Sequence, residues 1–227
     1  MTFWEGTVRK IVAIFILIFS GTVFLAACNL GGSSIDECNA GGVLFADDFS
    51  GEQTCGWALY NRGGAITEID AGVLRISTSQ PGQVRWTNPG RSFDDAIITV
   101  QARQVSGPDN NAYGVICRYQ NEENFYIFLI GGDGYYAIGK YTSDSPTVTY
   151  LTADGKYQYS DAINQGLATN QLRASCIGNE LSLAANGIPL VTVTDPTFVI
   201  GDVGLGVSTL ESGTAVVEFS DFRVVAP

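Results

Sequence analysis

The side chains that could do chemistry in this chain are few, and their types exclude several reactions. The 227-residue sequence has no histidine and carries 23 Asp and Glu against 12 Lys and Arg, which gives a net charge of −11. Without histidine, the chain cannot build the His-based triads or zinc sites that most hydrolases use. An acidic surface also repels the phosphate backbone of nucleic acids. We therefore expect neither zinc chemistry nor a nucleic-acid partner.

The carboxylates offer no convincing catalytic pair. Glu68, Asp70, Glu122, Glu123 and Asp133 lie in predicted turns or singly on predicted strands, where solvated surface is the simpler interpretation. Glycosidases need two carboxyl groups that flank one bond at a set separation. The sequence leaves open whether the protein is an enzyme and favours binding without catalysis.

Four side chains are candidates for binding a carbohydrate: Arg118, Tyr126, Lys140 and Arg173. A tyrosine ring can stack on the C–H face of a sugar, and Arg and Lys can donate to its hydroxyl or acidic groups. Because Lys and Arg are few in this acidic chain, several of them on one surface would indicate a binding site. The alternative is a solvated face whose arginines pair with nearby carboxylates.

One of the five cysteines is set apart from the other four by its position in the sequence. Cys28 ends an apolar N-terminal segment, which leaves Cys38, Cys55, Cys117 and Cys176. An exported chain without close C-x-x-C spacing favours disulfides over metal thiolates. Of the three possible connectivities we favour Cys38 with Cys55, which flank one short segment, and Cys117 with Cys176, which lie in two strand-like runs. A reduced, buried pair is the alternative.

The first 28 residues have the composition of a secretory signal. Arg9 and Lys10 precede a nearly unbroken apolar run over residues 11–24, and Leu-Ala-Ala-Cys follows at residues 25–28. A transmembrane helix is the alternative, but the run is shorter than the roughly 20 residues that cross a bilayer. The end of the run resembles the bacterial lipobox, which implies cleavage before Cys28 and a lipid on that cysteine. Such an anchor predicts an extracytoplasmic location, on the cell surface or in the periplasm.

The chain therefore divides into three predicted parts. Residues 1–27 are the signal peptide, and residues 28–42 are the lipidated cysteine with a Gly- and Ser-rich flexible tether. Residues 43–227 form the β-domain, in which β-branched and aromatic segments alternate with turn sequences and no long segment has helical periodicity. We predict an all-β, antiparallel two-sheet sandwich of the jelly-roll type. The predicted strands are residues 43–49, 65–70, 73–77, 97–105, 113–119, 124–130, 135–141, 147–151, 171–177, 180–185, 190–194, 201–208 and 216–225.

The alternation of side chains along these strands predicts which face of a sheet each candidate binding residue lies on. If Cys117 and Cys176 bond through the core, Arg118 and Arg173 are expected on the outer face of that sheet. Counting onward, we expect Phe125, Ile127 and Leu129 to face the core and Tyr126 and Phe128 to face outward. Lys140 and Tyr136 of the next hairpin could join this outer face.

Four segments carry a resemblance to a known family: Leu-Phe-Ala-Asp-Asp-Phe at 44–49 with Gly56-Trp57, residues 113–120 running into 124–126, residues 201–205, and residues 219–224. Together they resemble the concanavalin A-like lectin/glucanase superfamily, especially the laminin-G-like and 3-keto-disaccharide hydrolase-like domains of bacterial exported proteins. The resemblance implies a jelly roll whose first and last strands pair and whose concave sheet often binds sugar.

The same resemblance bears on catalysis and metal binding. Glucanases of the superfamily carry a Glu-x-Asp-x-x-Glu strand, whereas the corresponding strand here, residues 97–105, has no acid. Several relatives hold a structural calcium near the junction of the first and last strands. The matching positions are Asp221, Phe45 and Gly72, and the alternative for Asp221 is a turn cap.

We therefore expect a membrane-anchored lipoprotein whose sandwich binds carbohydrate or acts in adhesion without catalysis. One alternative is a glycoside-active enzyme of the 3-keto-disaccharide hydrolase type. Another is a structural envelope lipoprotein that has no small-molecule ligand.

Overall fold

The computed structural model of the chain describes residue 38 and residues 42–51, 54–145 and 147–227. The predicted signal peptide, the predicted lipidation at Cys28 and most of the predicted tether lie outside these residues. Among the helices of the described part, none is long and apolar enough to cross a membrane.

The described residues contain seventeen strands and a short 3-10 helix at Ala153–Gly155. All thirteen predicted strands are present, with small shifts at their ends. Four strands of two to four residues, β2, β5, β6 and β12, were missed because so short a segment shows no clear alternation. The strands are β1 (Phe45–Asp47), β2 (Tyr60–Arg62), β3 (Ala65–Asp70), β4 (Val73–Thr78), β5 (Val84–Thr87), β6 (Ser92–Phe93), β7 (Ala96–Ser106), β8 (Ala112–Asn121), β9 (Asn124–Gly131), β10 (Tyr135–Tyr141), β11 (Thr149–Tyr150), β12 (Gln158–Tyr159), β13 (Thr169–Ile177), β14 (Glu180–Ala185), β15 (Ile188–Thr194), β16 (Gly201–Ser208) and β17 (Ala215–Val225).

The strands form two antiparallel sheets. The nine-stranded sheet has the order β15-β14-β13-β7-β17-β4-β3-β2, with β1 also paired to β17. The eight-stranded sheet has the order β11-β10-β9-β8-β16-β5, with β12 added to β10 and β6 added to β16. The predicted antiparallel two-sheet sandwich is confirmed. Its first and last strands pair, with Phe45 opposite Val224.

The main core lies between the two sheets. Alternate residues of β7 and β17, such as Ile98, Val100 and Phe219, are buried there against Val115 and Phe128 of the eight-stranded sheet. Fully burying side chains of this size contributes about 1.5–3 kcal/mol each. The sandwich therefore rests on the inner faces of its long central strands.

An aromatic cluster fastens the first strand to the last. The Trp57 ring packs at 88° to Phe222 with 5.0 Å between ring centroids, and Phe45 contacts both rings. The Trp57 Nε1 donates to the Asp47 carboxylate at 3.0 Å, so the buried indole N–H has a partner. Burial raises the pKa of Asp47, against the effect of the hydrogen bonds from Phe49 and Trp57.

Both predicted disulfides are confirmed, Cys38 with Cys55 and Cys117 with Cys176. The second one crosses the core, because Cys117 lies in β8 of the eight-stranded sheet and Cys176 in β13 of the nine-stranded sheet. The side chains that alternate with these two cysteines therefore point to opposite sides of the sandwich. The expectation that Arg118 and Arg173 share one outer face is wrong for this reason.

The alternation expected in β9 is also wrong. Cys117 lies directly opposite Tyr126, so Tyr126 and Phe128 face the core between the sheets. Phe125, Ile127 and Leu129 instead lie on the outer face of the eight-stranded sheet. The hairpin pairs Asn121 with Asn124, residues of opposite number parity, so alternation cannot be counted straight through the turn.

A bulge in β8 changes the side-chain directions once more. The register with β9 shifts between Cys117 and Asn121, and Arg118 has a left-handed backbone with φ of 52°. Arg118 turns inward at the bulge, and Tyr119 packs on the outer face beside Phe125. Bulges of this kind re-aim side chains at the ends of strands.

Candidate functional site

The four residues predicted to bind carbohydrate do not form one surface. Arg118 is only 2% exposed and Tyr126 is fully buried. Lys140 lies opposite Tyr126 on the inner face of the eight-stranded sheet. Arg173 is exposed on the outer face of the other sheet. Tyr136, which was expected to join them, is buried in the core. The structure brings together only Tyr126 and Lys140.

Arg118 is a structural cation. Its Nε donates to the Asp94 carbonyl at 3.2 Å, and its Nη1 donates to the carbonyls of Gly178 and Phe198 at 2.8 and 2.7 Å. Its Nη2 pairs with Asp95 at 3.2 Å. The guanidinium thus ties three loops together at one end of the sandwich and offers no face to a ligand.

Tyr126 and Lys140 meet at the buried carboxylate of Asp195. The Tyr126 hydroxyl donates to one oxygen at 2.6 Å, and the Lys140 ammonium donates to the other at 2.6 Å. Burial acts to raise the pKa of Asp195, but hydrogen bonds from Lys140, Thr197 and Tyr126 hold it at about 2. This network joins β9 and β10 to the segment that follows β15.

Acid is expected to weaken this network. Because the folded pKa of Asp195 lies below its ordinary value of 3.8, its stabilisation is complete above pH 4 and is lost as the pH falls towards about 2. The difference corresponds to about 2 kcal/mol. Urea unfolding of wild type and Asp195→Asn at pH 6 and pH 2.5 checks this prediction. The gap in unfolding free energy between the two proteins should narrow at the lower pH. An equal gap at both pH values would contradict the prediction.

The outer face of the eight-stranded sheet carries a second, smaller apolar cluster. Phe125 lies at its centre, stacked on Tyr141 at 4.5 Å between ring centroids. Trp86 of β5 and Tyr119 of β8 contact Phe125 from the other side, at 5.4 and 5.6 Å. Gly206 of β16 lies between these strands, and a Cβ there would meet Ile127 at 3.2 Å. The missing side chain leaves room for Ile127, Val84 and Ile116 to pack over this strand.

A groove of about 780 Å³ opens beside Trp86 and Tyr119. The β2–β3 hairpin forms one wall, and it is tied to β5 because the Tyr60 hydroxyl donates to the Trp86 carbonyl at 2.9 Å. A second, shallower depression shares Tyr119, Asp202 and Gly90 with it and extends past Arg91. The groove is lined by Gly56, Ala58, Tyr60, Arg62, Gly63, Arg85, Trp86, Thr87, Asn88, Gly90, Tyr119, Glu122 and Asp202.

Two carboxylates line the groove near the Tyr119 ring. Asp202 accepts backbone N–H groups of Gly90, Arg91 and Val203 at 2.8–2.9 Å, so both of its oxygens are occupied. Burial raises the pKa of Asp202 to about 6, against the effect of these N–H groups. Burial also raises the pKa of Tyr119, and the charges of Glu122 and Asp202 add to that rise.

The groove suits binding better than acid–base catalysis. Asp202 uses its oxygens to hold the Gly90 turn, and Glu122 is exposed in the β8–β9 turn. On the strands beside the groove, the outer-facing residues Ile116, Phe125 and Ile127 are apolar. Strand β7, in which the acid-free segment 97–105 lies, belongs to the other sheet.

Sequence reasoning missed this groove. Trp86 lies on a four-residue strand that was not predicted, and strict alternation from Cys117 would place Tyr119 in the core. The useful signal was the hairpin itself, because pairing Asn121 with Asn124 places Tyr126, and not Phe125, beside the core cysteine.

The predicted calcium residues lie near the point where the pairing of β17 changes from β4 to β1. Asp221 is exposed at a bulge between the two pairings, with Phe219 opposite Leu74 and Phe222 opposite Asp47. Gly72, with φ of 80°, lies in the turn that begins β4 and so comes near this junction, whereas Phe45 pairs farther along with Val224. The register suits Asp221 and Gly72 as oxygen donors better than Phe45. The described residues contain no group of three His, Cys, Asp or Glu that could hold a metal ion. A calcium site stays a prediction.

Solved structures with this arrangement are found at low sequence identity. The carbohydrate binding module CBM66 from Bacillus subtilis matches with a TM-score of 0.59 and 14% identity, over 75% of this chain and 96% of that one. A protein of unknown function with a galectin-like fold from Bacillus subtilis matches with a TM-score of 0.57 and 12% identity, over 82% and 98%. Bacillus licheniformis β-glucanase matches with a TM-score of 0.55 and 11% identity, over 83% and 100%.

The chain has a concanavalin A-like fold. At these identities the likeness establishes the fold alone. No family model and no curated protein sequence matches the chain. The narrower resemblance to laminin-G-like and 3-keto-disaccharide hydrolase-like domains stays a prediction.

Proposed function

We propose that this protein is a lipid-anchored, extracytoplasmic carbohydrate-binding or adhesion protein that holds a glycan in the Trp86 groove without cleaving it. The observation that carries the proposal is the pair of half-buried rings, Trp86 and Tyr119, 6.2 Å apart in a groove that also holds polar side chains. A sugar offers apolar C–H faces to such rings and hydroxyls to groups such as Glu122 and Arg62.

The fold neighbours support a glycan as the ligand class. A module described as carbohydrate binding and a β-glucanase share this arrangement of sheets. Because one fold supports many functions, the neighbours only add to what the groove offers.

The proposed location rests on the N-terminal sequence and on the cysteines. A basic and apolar leader that ends in Leu-Ala-Ala-Cys resembles a lipoprotein signal, and two disulfides suit an oxidising compartment. The lipid on Cys28 would hold the sandwich at the outer side of a bacterial membrane.

A glycoside-cleaving enzyme is the second candidate, because Glu122 and Asp202 line the same groove. The hydrogen bonds that occupy both oxygens of Asp202 favour binding over catalysis. Release of reducing ends from a bound glycan would decide for the enzyme.

A glycan array probed with the purified full chain tests the proposed function. We expect binding that weakens at least tenfold in Trp86→Ala, which is a loss of about 1.4 kcal/mol. Tyr135→Ala is the matched control, because Tyr135 is 45% exposed and does not line the groove. Trp86→Phe keeps a packed ring and should bind with intermediate affinity. If no glycan on the array is bound or hydrolysed, the better interpretation is a structural envelope lipoprotein that has no small-molecule ligand.

A further inference from the structure

Only some of the lysines and arginines of this protein form ion pairs with carboxylates. Of the Lys and Arg residues in the described ranges, four form ion pairs with carboxylates: Arg75, Arg103, Arg118 and Lys140. Arg62 and Arg85 line the groove and have no carboxylate partner among the described residues. Although Glu122 and Asp202 line the same groove, neither arginine forms an ion pair with them, so both guanidinium groups are left for a ligand.

Arg85 is held in place by neutral partners only. Its Nη2 donates to the Gly63 carbonyl at 3.1 Å and to the Gln83 side-chain oxygen at 2.8 Å. Its Nε is buried and has no hydrogen-bond partner. The guanidinium is therefore oriented in advance by Nη2, and its Nη1 has no hydrogen-bond partner among the described residues.

Arg62 lies on the β2–β3 hairpin, one residue before the Gly63 carbonyl that Arg85 contacts. Its guanidinium lies over the Tyr60 ring, 5.4 Å from the centroid. Because the Tyr60 hydroxyl is bonded to the Trp86 carbonyl, Arg62 is carried on a hairpin fixed beside the Trp86 ring. The two cations and the aromatic pair thus belong to one groove.

We propose that the groove selects glycans that carry acidic groups, with Arg62 and Arg85 binding a sugar carboxylate or sulfate while Trp86 and Tyr119 contact the sugar ring. This inference rests on the proposed function. Guanidinium groups bind such anions through paired, charge-assisted hydrogen bonds that a hydroxyl cannot match. The negative charge of the rest of the protein disfavours long polyanions, so the preferred ligand is a short acidic segment.

Matched oligosaccharides test the proposal with the full chain. One pair is trigalacturonate and its fully methyl-esterified form, which share a backbone and differ in charge. A second pair is a sulfated galactan oligosaccharide and its desulfated form, which distinguishes sulfate from carboxylate as the source of the charge. We expect at least one acidic member to bind at least tenfold more tightly than its neutral partner.

Substitutions assign the preference to the two arginines. Arg62→Gln with Arg85→Gln should remove the preference, so that the acidic and neutral members of each pair bind with affinities within twofold of each other. Arg62→Gln alone leaves the Arg85 contacts to the hairpin intact and should remove part of the preference. Arg173→Gln, on the outer face of the other sheet, is the matched control and should change nothing.

The outcomes separate this proposal from the one it rests on. If neutral glycans bind in a Trp86-dependent way with no acidic preference, the groove binds glycans and the role of the arginines is wrong. If the preference survives the double substitution, another site carries it and the proposal is also wrong. If no glycan binds at all, both proposals fail.

Discussion

Replacing Arg118 with alanine is expected to lower the free energy of unfolding by about 2–4 kcal/mol, from lost hydrogen bonds and lost packing. The side chain is 2% exposed, and its guanidinium satisfies three backbone carbonyls and one carboxylate. Truncation leaves the buried Phe198 carbonyl without its donor, breaks the bonds to the Asp94 and Gly178 carbonyls, and opens a void where the side chain was. Losing the donor of a buried acceptor costs about 1–3 kcal/mol for each group.

The partners of Arg118 explain why the cost should be cooperative. Asp94 and Asp95 precede β7, Gly178 forms the β13–β14 turn, and Phe198 lies between β15 and β16. These segments meet at Arg118 although they are far apart in the sequence. Without the cation, that end of the sandwich loses the group that joins its loops.

Urea unfolding of Arg118→Ala, Arg118→Lys and Arg173→Ala checks this expectation. Lysine keeps the charge but not the planar fork, so it should recover only part of the loss. Arg173 is exposed, and its replacement should change stability by less than about 0.5 kcal/mol. If Arg118→Ala proved as stable as Arg173→Ala, the structural role assigned to Arg118 would be wrong. Where Arg118→Ala does not fold, the lysine variant still reports the loss.

The strands were predictable because their signals are local. Strand β7 alternates buried and more exposed residues along nearly its whole length, and β17 does so up to its bulge at Asp221. The favoured disulfide pairing rested on an even number of remaining cysteines, on the short segment between Cys38 and Cys55, and on the strand-like runs around Cys117 and Cys176. Short strands such as β5 were not predictable, because their four residues form a strand only by pairing with β16.

The binding residues were not predictable, because their placement depends on which strand joins which sheet. Alternation states which residues share a face within one strand, but Cys117 and Cys176 belong to different sheets. The bulge at Arg118 then reverses the expected direction of Tyr119. Each step is set by pairing between distant segments, which local sequence patterns do not encode.

The groove itself is a product of the same distant pairing. Arg62 lies on β2 at the edge of one sheet, and Trp86 lies on β5 at the edge of the other. Asp202 lies on β16, more than a hundred residues after Gly90, whose backbone N–H donates to the Asp202 carboxylate. No spacing in the sequence relates these residues, so only the folded chain shows that they could share one ligand.

Removing the Cys117–Cys176 disulfide is expected to cost about 4 kcal/mol, against about 3 kcal/mol for Cys38–Cys55. The Cys117–Cys176 bond joins residues 59 positions apart, and the Cys38–Cys55 bond joins residues 17 positions apart. In the chain-entropy account, the longer loop restricts the unfolded chain more. Because both Cys117 and Cys176 are buried in the core, their removal also leaves unfilled space between the sheets.

Denaturant unfolding under non-reducing conditions compares Cys117→Ala/Cys176→Ala with Cys38→Ala/Cys55→Ala. Alanine is chosen over serine because a buried serine hydroxyl would add an unpaired polar group. Peptide mapping without reductant should recover the remaining bond in each variant, which shows that the two bonds form independently. The reverse order of stability would mean that the short Cys38–Cys55 loop, beside the Trp57 cluster, restrains the fold more than the bridge between the sheets does.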